Sequence, residues 1–247
     1  MRGLEVVRQW GTVTPVGAVS PARAQGRPPG GARVQAAQWR LNAALARHPE
    51  AEVYEVAGVL SVCARVAVDL AVWSAGEVRG VHLAAGETTT FRGDPVLLVG
   101  MGRIEAAQPS EPPSAWVDVL PGPDLGVFAS DTLWRFVDTE WRVAPASNRV
   151  GVRLQGPGLR APVARMPTAP MALGAVEVPP DGLPIVLGPD HPVTGGYPLL
   201  AVLPAYATDD LNRVAYGAPV AFRLVDRDTA LARWAAWRAR REGVGAV

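Results

Sequence analysis

The stretch GPDHPVTGGYP, residues 188–198, sets an acid, a histidine, a threonine, two adjacent glycines and a tyrosine between the apolar runs LPIVL and LLAVL. Glycines at 195 and 196 open conformations closed to other residues and let backbone N–H groups approach a ligand. Thr194 and Tyr197 add hydroxyls there, and Asp190 and His191 add two titratable groups. The chemistry this suggests is the holding of an anion. A second segment, SNRVGVRLQGP at residues 147–157, points the same way. Its Arg149 and Arg153 are four apart, so on an extended strand they share one face while Val150 and Val152 take the other. Two guanidiniums side by side make a planar donor array for a carboxylate or a phosphate. The alternative is that each arginine pairs with an acid of its own, such as Asp190 or Glu177.

Those groups need strands to position them. Short runs of alternating apolar and polar residues recur along the chain, as in AEVYEVAGVLSVC, VDLAVWS, VRGVHLA, PVLLVGM, PIVLG, PLLAVLP and PVAFRLVD, punctuated by 26 glycines and 24 prolines. PPDG at 179–182 reads as a tight turn in which Pro fixes φ, Asp181 bonds its own backbone and Gly182 takes a positive φ. Three stretches read as helix. In GARVQAAQWRLNAALARHP, Val34, Leu41 and Leu45 share a face; DLGVFASDTLWRFVD is the second; in DRDTALARWAAWRARREG, Asp228 is the expected N-cap and Gly243 the expected stop. The fold class expected is mainly β, a barrel with a few short helices and a C-terminal helix. The Pro-rich, aperiodic EAAQPSEPPSAW at 105–116 marks a boundary, giving a strand-rich segment 1–115, a barrel 116–226 and a helical tail 227–247.

Composition excludes several function classes. The 24 basic and 23 acidic residues leave a formal net charge of +1, so no global field favours nucleic acid or an anionic membrane. No apolar run reaches the ~18 residues of a membrane span, and the first residues carry no secretory signal, which makes the cytoplasm the expected location. Cys63 is the single cysteine, read as a buried small hydrophobe. His48 and His82 have no metal-ligand spacing, and no metal site is expected. All 24 basic residues are arginine. Without lysine these residues offer no Walker A loop, no Schiff base and no attachment point for covalent biotin.

The segments LPGPD (120–124), SNRVGVRLQGP and GAVEVPPDGLPIVLGPDHPVTGGYP (174–198), in this order and spacing, resemble the biotin-dependent carboxyltransferase family. That family includes the C subunit of 5-oxoprolinase, allophanate hydrolase subunit 2 and the carboxyltransferase region of urea amidolyase. Its pattern reads D-R-x-G-x-R-L-x-G, then G-x-I-Q-V-P-P-D-G-x-P-I-V-L, then D-R-Q-T-T-G-G-Y-P. Arg149, Gly151, Arg153, Asp190, Thr194, Gly195, Gly196 and Tyr197 occupy matching positions. His191 stands where the family has arginine, Pro192 for glutamine, Val193 for the first threonine and Glu177 for the glutamine of IQVP. GTVTPVGAV lacks the acid and the arginine of the family's N-terminal block, and the stretch between LLVGMGR and SEPPSAW is shortened.

The resemblance implies cyclophilin-like β-barrel domains, a partner of the family's B type together with one of its A type, and a small-molecule amide, lactam or urea substrate in an ATP-dependent complex. Asp190 and Arg153 are then the catalytic candidates. Arg149, Glu177, His191, Thr194, Gly195, Gly196 and Tyr197 are the substrate-binding ones. The competing expectation is a degenerate barrel that serves as a regulatory or scaffolding partner of a B-type protein.

Overall fold

Alternating apolar residues become strands in both halves of the chain. The computed structural model describes residues 1, 3–17, 30–105, 114, 116–162 and 166–243. Most of the Gly/Pro-rich stretch 17–32 and of the boundary segment 105–116 lies outside the described residues. Residues 1–18, 34–113 and 238–247 make one compact unit, and residues 19–33 and 114–237 make a second.

In the first unit, β1 (Leu4–Val16), β2 (Val53–Ala64), β3 (Val68–Ser74), β4 (Glu77–Leu83) and β5 (Thr88–Met101) form an antiparallel sheet in the order β1-β2-β5-β3-β4. Val56, Leu60, Val62, Leu70, Val72, Phe91 and Val99 gather into one buried cluster. Helix α1 (Gln35–Ala44) packs near β3 and β5. Val34, Leu41 and Leu45 are all buried, as their helical spacing predicts. Gly100 makes the close approach possible, because a Cβ there would stand 2.6 Å from Leu45 Cδ1. Cys63 is half-buried rather than buried, with Sγ against the carbonyl of Gly86.

The second unit is built on eight strands: β6 (Val117–Pro121), β7 (Trp141–Val143), β8 (Gly151–Gln155), β10 (Ala175–Glu177), β11 (Ile185–Leu187), β13 (Leu199–Val202), β14 (Pro219–Val220) and β15 (Phe222–Leu224). Their order is β14-β7-β8-β11-β10-β13-β6-β15. The two edge strands of that order are separated in sequence by Ala221 alone, so the sheet is nearly closed. Val117 N–H donates to the Ala221 carbonyl at this junction, 3.0 Å. β15 then runs parallel to β6, Phe222 opposite Val117. A separate ribbon pairs β9 (Ala169–Pro170) with β12 (Thr194–Gly195). The core holds Phe136 of α2 (Thr132–Asp138) stacked on Phe222 at 4.6 Å, with Trp141 beside it. The protein is thus mainly β, with a barrel-like sheet and few helices. Among the described residues no helix is long and apolar enough to cross a membrane.

Two helices remain. α3 (Ala205–Asn212) is not apparent from periodicity, because it buries Thr208, Asp209 and Asn212 along with Tyr206 and Leu211. α4 (Arg227–Gly243) is the expected last helix. Its first turn is capped by Asp226 and not Asp228: Thr229 N–H donates to Asp226 Oδ1 at 2.7 Å, and this bond holds the Asp226 carboxyl below its usual range. Trp237 is buried and donates from Nε1 to Asp209 Oδ2, 3.0 Å, while Trp234 is about one third exposed.

Asp118 of β6 fastens α4 further. This carboxylate is 3% exposed. It accepts from Arg223 Nε and Nη2 (3.0 and 2.7 Å), from Tyr206 Oη (2.9 Å) and from Arg233 Nη1. Burial alone would push its proton affinity up. The bonds from Arg233, Arg223 and Tyr206 outweigh that, and Asp118 stays below the ordinary carboxylate range. Burial and the Asp118 carboxylate together push the Tyr206 hydroxyl up. A depressed acid adds stability that is fully present above about pH 4, its unfolded value, and is lost as pH falls through the folded one. Asp118→Asn is therefore expected to cost about 2–3 kcal/mol at pH 7. Between pH 5 and 2 its urea midpoint should fall less steeply than that of the unmodified chain.

Candidate functional site

Backbone bonds knit the three chemistry-bearing segments around residues 185–202. LPGPD meets β13 through Gly122 N–H to the Leu200 carbonyl, 2.9 Å, and through Leu199 N–H to Asp124 Oδ2, 2.9 Å. A Cβ on Gly122 would lie 2.4 Å from the Leu199 carbonyl oxygen, which is why this turn needs glycine. SNRVGVRLQGP meets the 188–190 turn through Gly188 N–H to Val150 O, 2.9 Å, and Asp190 N–H to Arg149 O, 3.0 Å. Local side chains shape the second segment too. Asn148 Oδ1 accepts from Val150 N–H at 2.8 Å, and Ser147 Oγ accepts from Arg153 N–H at 3.0 Å. PPDG forms the expected turn, with Gly182 at φ +76° and Leu183 N–H bonded to Asp181 Oδ1 at 3.0 Å.

Arg149 and Arg153 have different surroundings. Arg149 precedes β8, and its side chain is 11% exposed. It donates from Nε to Asp190 Oδ2 at 2.7 Å and from Nη2 to Asp190 Oδ1 at 2.9 Å. The same Nη2 reaches the Gly31 carbonyl at 2.9 Å, and Gly30 N–H donates to Pro189 O at 2.8 Å. For Arg149, pairing with its own acid is the arrangement found. Arg153 lies on β8 in register with Ile185 of β11, which is in register with Glu177 of β10. Residues in register share a face, so Arg153, Ile185 and Glu177 make one row on the outer side, while Val152, Val186 and Val176 make the buried row behind it. Burial pushes the Glu177 carboxyl up, and the charge of Arg153 offsets part of that rise. An exposed guanidinium on the same face as a carboxyl that holds its proton more tightly than usual can bind an oxyanion and exchange a proton.

The remaining candidates separate by burial. His191 is fully buried, and its Nδ1–H donates to the Pro192 carbonyl at 2.7 Å. Thr194, Gly196 and Tyr197 are exposed on and beside the β9–β12 ribbon. Neither Gly195 nor Gly196 takes a positive φ, which corrects the conformational reason expected for the pair. Gly195 instead packs closely on Met171: a Cβ there would stand 2.6 Å from Met171 Cε and displace that side chain. Periodicity gives no sign of the Gly31 carbonyl or of Asp124. Their signals, a glycine pair and a turn aspartate, are too common to single out. Among the described residues no cluster of three or more His, Cys, Asp or Glu is placed to hold a metal ion.

Comparison with known proteins places this geometry. The family described as the carboxyltransferase domain, subdomain A and B, matches residues 71–224. The C subunit of the 5-oxoprolinase of Escherichia coli (strain K12) is 36% identical over 110 residues, covering 43% of this chain and 34% of that protein. The corresponding C subunit of Haemophilus influenzae is 30% identical over 152 residues, covering 61% and 47%. The crystal structure of the K. lactis urea amidolyase has a TM-score of 0.78 at 16% identity, over 98% of this chain and 20% of that one, a likeness of fold. The matched regions are between about a third and a half of the curated relatives' length.

Two outcomes follow from the arginines. Arg149→Ala should cost about 1–3 kcal/mol in urea unfolding, and Arg149→Lys should recover little of it, since an ammonium cannot bridge both oxygens of Asp190 and the Gly31 carbonyl. Arg153→Gln removes the charge that offsets burial, so Glu177 should titrate higher than in the unmodified chain, read by carboxyl-selective NMR across pH 3–8.

Proposed function

Because the chain belongs to the carboxyltransferase domain family, subdomains A and B, we propose that it works as the C-type component of a heteromeric, ATP-dependent assembly acting on an amide, lactam or urea-type carbonyl, of the 5-oxoprolinase or allophanate hydrolase kind. The observation that carries this reading is the knitting of LPGPD, SNRVGVRLQGP and 174–198 into one local structure inside the matched region. In it, Arg153 receives the substrate's carboxylate or the oxyanion that develops at the attacked carbonyl. Glu177, whose carboxyl is pushed up by burial, is the proton-exchanging group on the same face. Asp190 orients Arg149 and holds the turn, and Thr194, Tyr197 and the Gly195 and Gly196 N–H groups border the substrate. His191 supports the turn from its buried position.

The partners in this reading are a B-type protein and an A-type protein of the same assembly. These residues hold no lysine and no Walker A loop, so in this reading ATP is held through arginine, backbone or a partner. The same absence leaves no residue for covalent biotin.

One observation favours a second reading, a scaffolding or regulatory role. Arg149, Asp190 and His191 are engaged in the protein's own packing. Reconstitution with the A-type and B-type proteins separates the two. On the catalytic reading, ATP-dependent consumption of 5-oxoproline requires this chain, and Arg153→Gln lowers kcat/KM about a hundredfold with the melting temperature unchanged. A stable complex whose turnover is the same with and without this chain would overturn it in favour of the scaffold.

A further inference from the structure

A cleft of about 670 Å³ in the first unit is lined by Asp69, Leu70, Gly80, Val81, His82, Arg103 and Ile104. None of these residues belongs to the three chemistry-bearing segments of the second unit. Asp69 of β3 lies in register with His82 of β4, and His82 Nδ1 stands 2.7 Å from Asp69 Oδ1. A carboxylate only accepts, so this bond puts the proton of a neutral imidazole on Nδ1 and leaves Nε2 as an acceptor. The next position in register on the same face is Ala71 opposite Gly80. Leu70 and Val81 are on the other face, packed with the buried cluster. Gly80 keeps the floor open: a Cβ there would lie 3.6 Å from Ile104 Cδ1, and a larger side chain would fill the space. Ile104 supplies an apolar side chain to the lining, and Arg103, an exposed residue, supplies its positive charge.

We propose that this cleft binds a small organic acid, whose carboxylate meets Arg103, whose O–H or N–H donates to His82 Nε2, and whose apolar body rests over Gly80 against Ile104. Each part follows from one wall. Arg103 asks for an anion with planar oxygens. An imidazole held in one tautomer by a carboxylate asks for a donor. A glycine floor beside isoleucine asks for a compact apolar group. The site uses none of Arg149, Arg153, Glu177 or Asp190, so it stands or falls separately from the proposed function.

The test titrates three probes into the full chain, followed by calorimetry and by the His82 ring resonances: 2-hydroxyisocaproate, isocaproate, which lacks the donor, and 2-hydroxyisocaproamide, which lacks the charge. The expected order is hydroxy acid first, simple acid about tenfold weaker and amide weakest. Arg103→Gln should weaken the hydroxy acid at least about tenfold. His82→Phe should erase the preference for the hydroxyl while leaving the simple acid bound. Gly80→Val should abolish binding of all three, whereas Gly80→Ala, whose Cβ fits at ordinary contact distance, should keep the order of the three probes. Melting curves of each variant separate loss of the site from loss of the fold. No saturable binding of any probe would overturn the proposal, as would Arg103→Gln binding the hydroxy acid within about twofold of the unmodified chain.

Discussion

The fork of Arg149 on Asp190 is the interaction on which the second unit's functional segments depend. It joins the chain just ahead of β8 to the turn that follows β11, and through the Gly31 carbonyl it also fixes a third stretch of chain. Only an arginine can make these three bonds at once, because its donors are planar and fixed in direction. The pair is partly desolvated, with Arg149 at 11% and Asp190 at 35% exposure, so its value lies as much in specifying one geometry as in net stability. With the turn so held, Gly188 and Asp190 N–H groups are committed to carbonyls of the neighbouring chain, and the ribbon of Thr194 and Gly195 is carried outward from a rigid base.

A second clasp serves α4. Asp118 gathers Arg223, Arg233 and Tyr206 from a strand and two helices, and the Asp209–Trp237 bond repeats the device farther along α4. Both acids are buried, and their partners are long side chains whose apolar parts cover surface as well as carry a donor. The unit therefore uses short strands for its frame and buried carboxylates to decide what packs on it.

Strands with one buried face are legible in the sequence. VDLAVWS is β3 residue for residue, and PPDG turns by the mechanism its residues dictate. Val34, Leu41 and Leu45 mark α1 by their spacing, although Val34 and Leu45 flank its ends and the helix buries Gln38 and Asn42 as well. β1 is not legible, since Glu5 through Thr12 are exposed on both faces and nothing forces alternation. α3 is hidden for the opposite reason: it buries polar residues, which pattern reading assigns to the surface. In the candidate site, residue types and order are readable while pairing is not. A spacing of four places two arginines on one face only if the strand spans both, and β8 begins at Gly151, after Arg149. In the cleft, Gly80 and His82 share a face of β4 at a spacing of two, but no local spacing connects them to Asp69 or Arg103.

The near-closure of the eight-stranded sheet at Ala221 bears on how the chain comes to be folded. β6 at residue 117 finds its parallel neighbour only when residue 222 has been made, so this pairing has one of the largest loop-closure costs in the unit and is expected to form late. Until then the Val117–Pro121 and Trp141–Val143 strands each present an open edge, short enough at five and three residues to give a passing chain little to template on. Brevity of strands at the seam thus protects the nascent molecule during the interval in which the barrel has no way to shut.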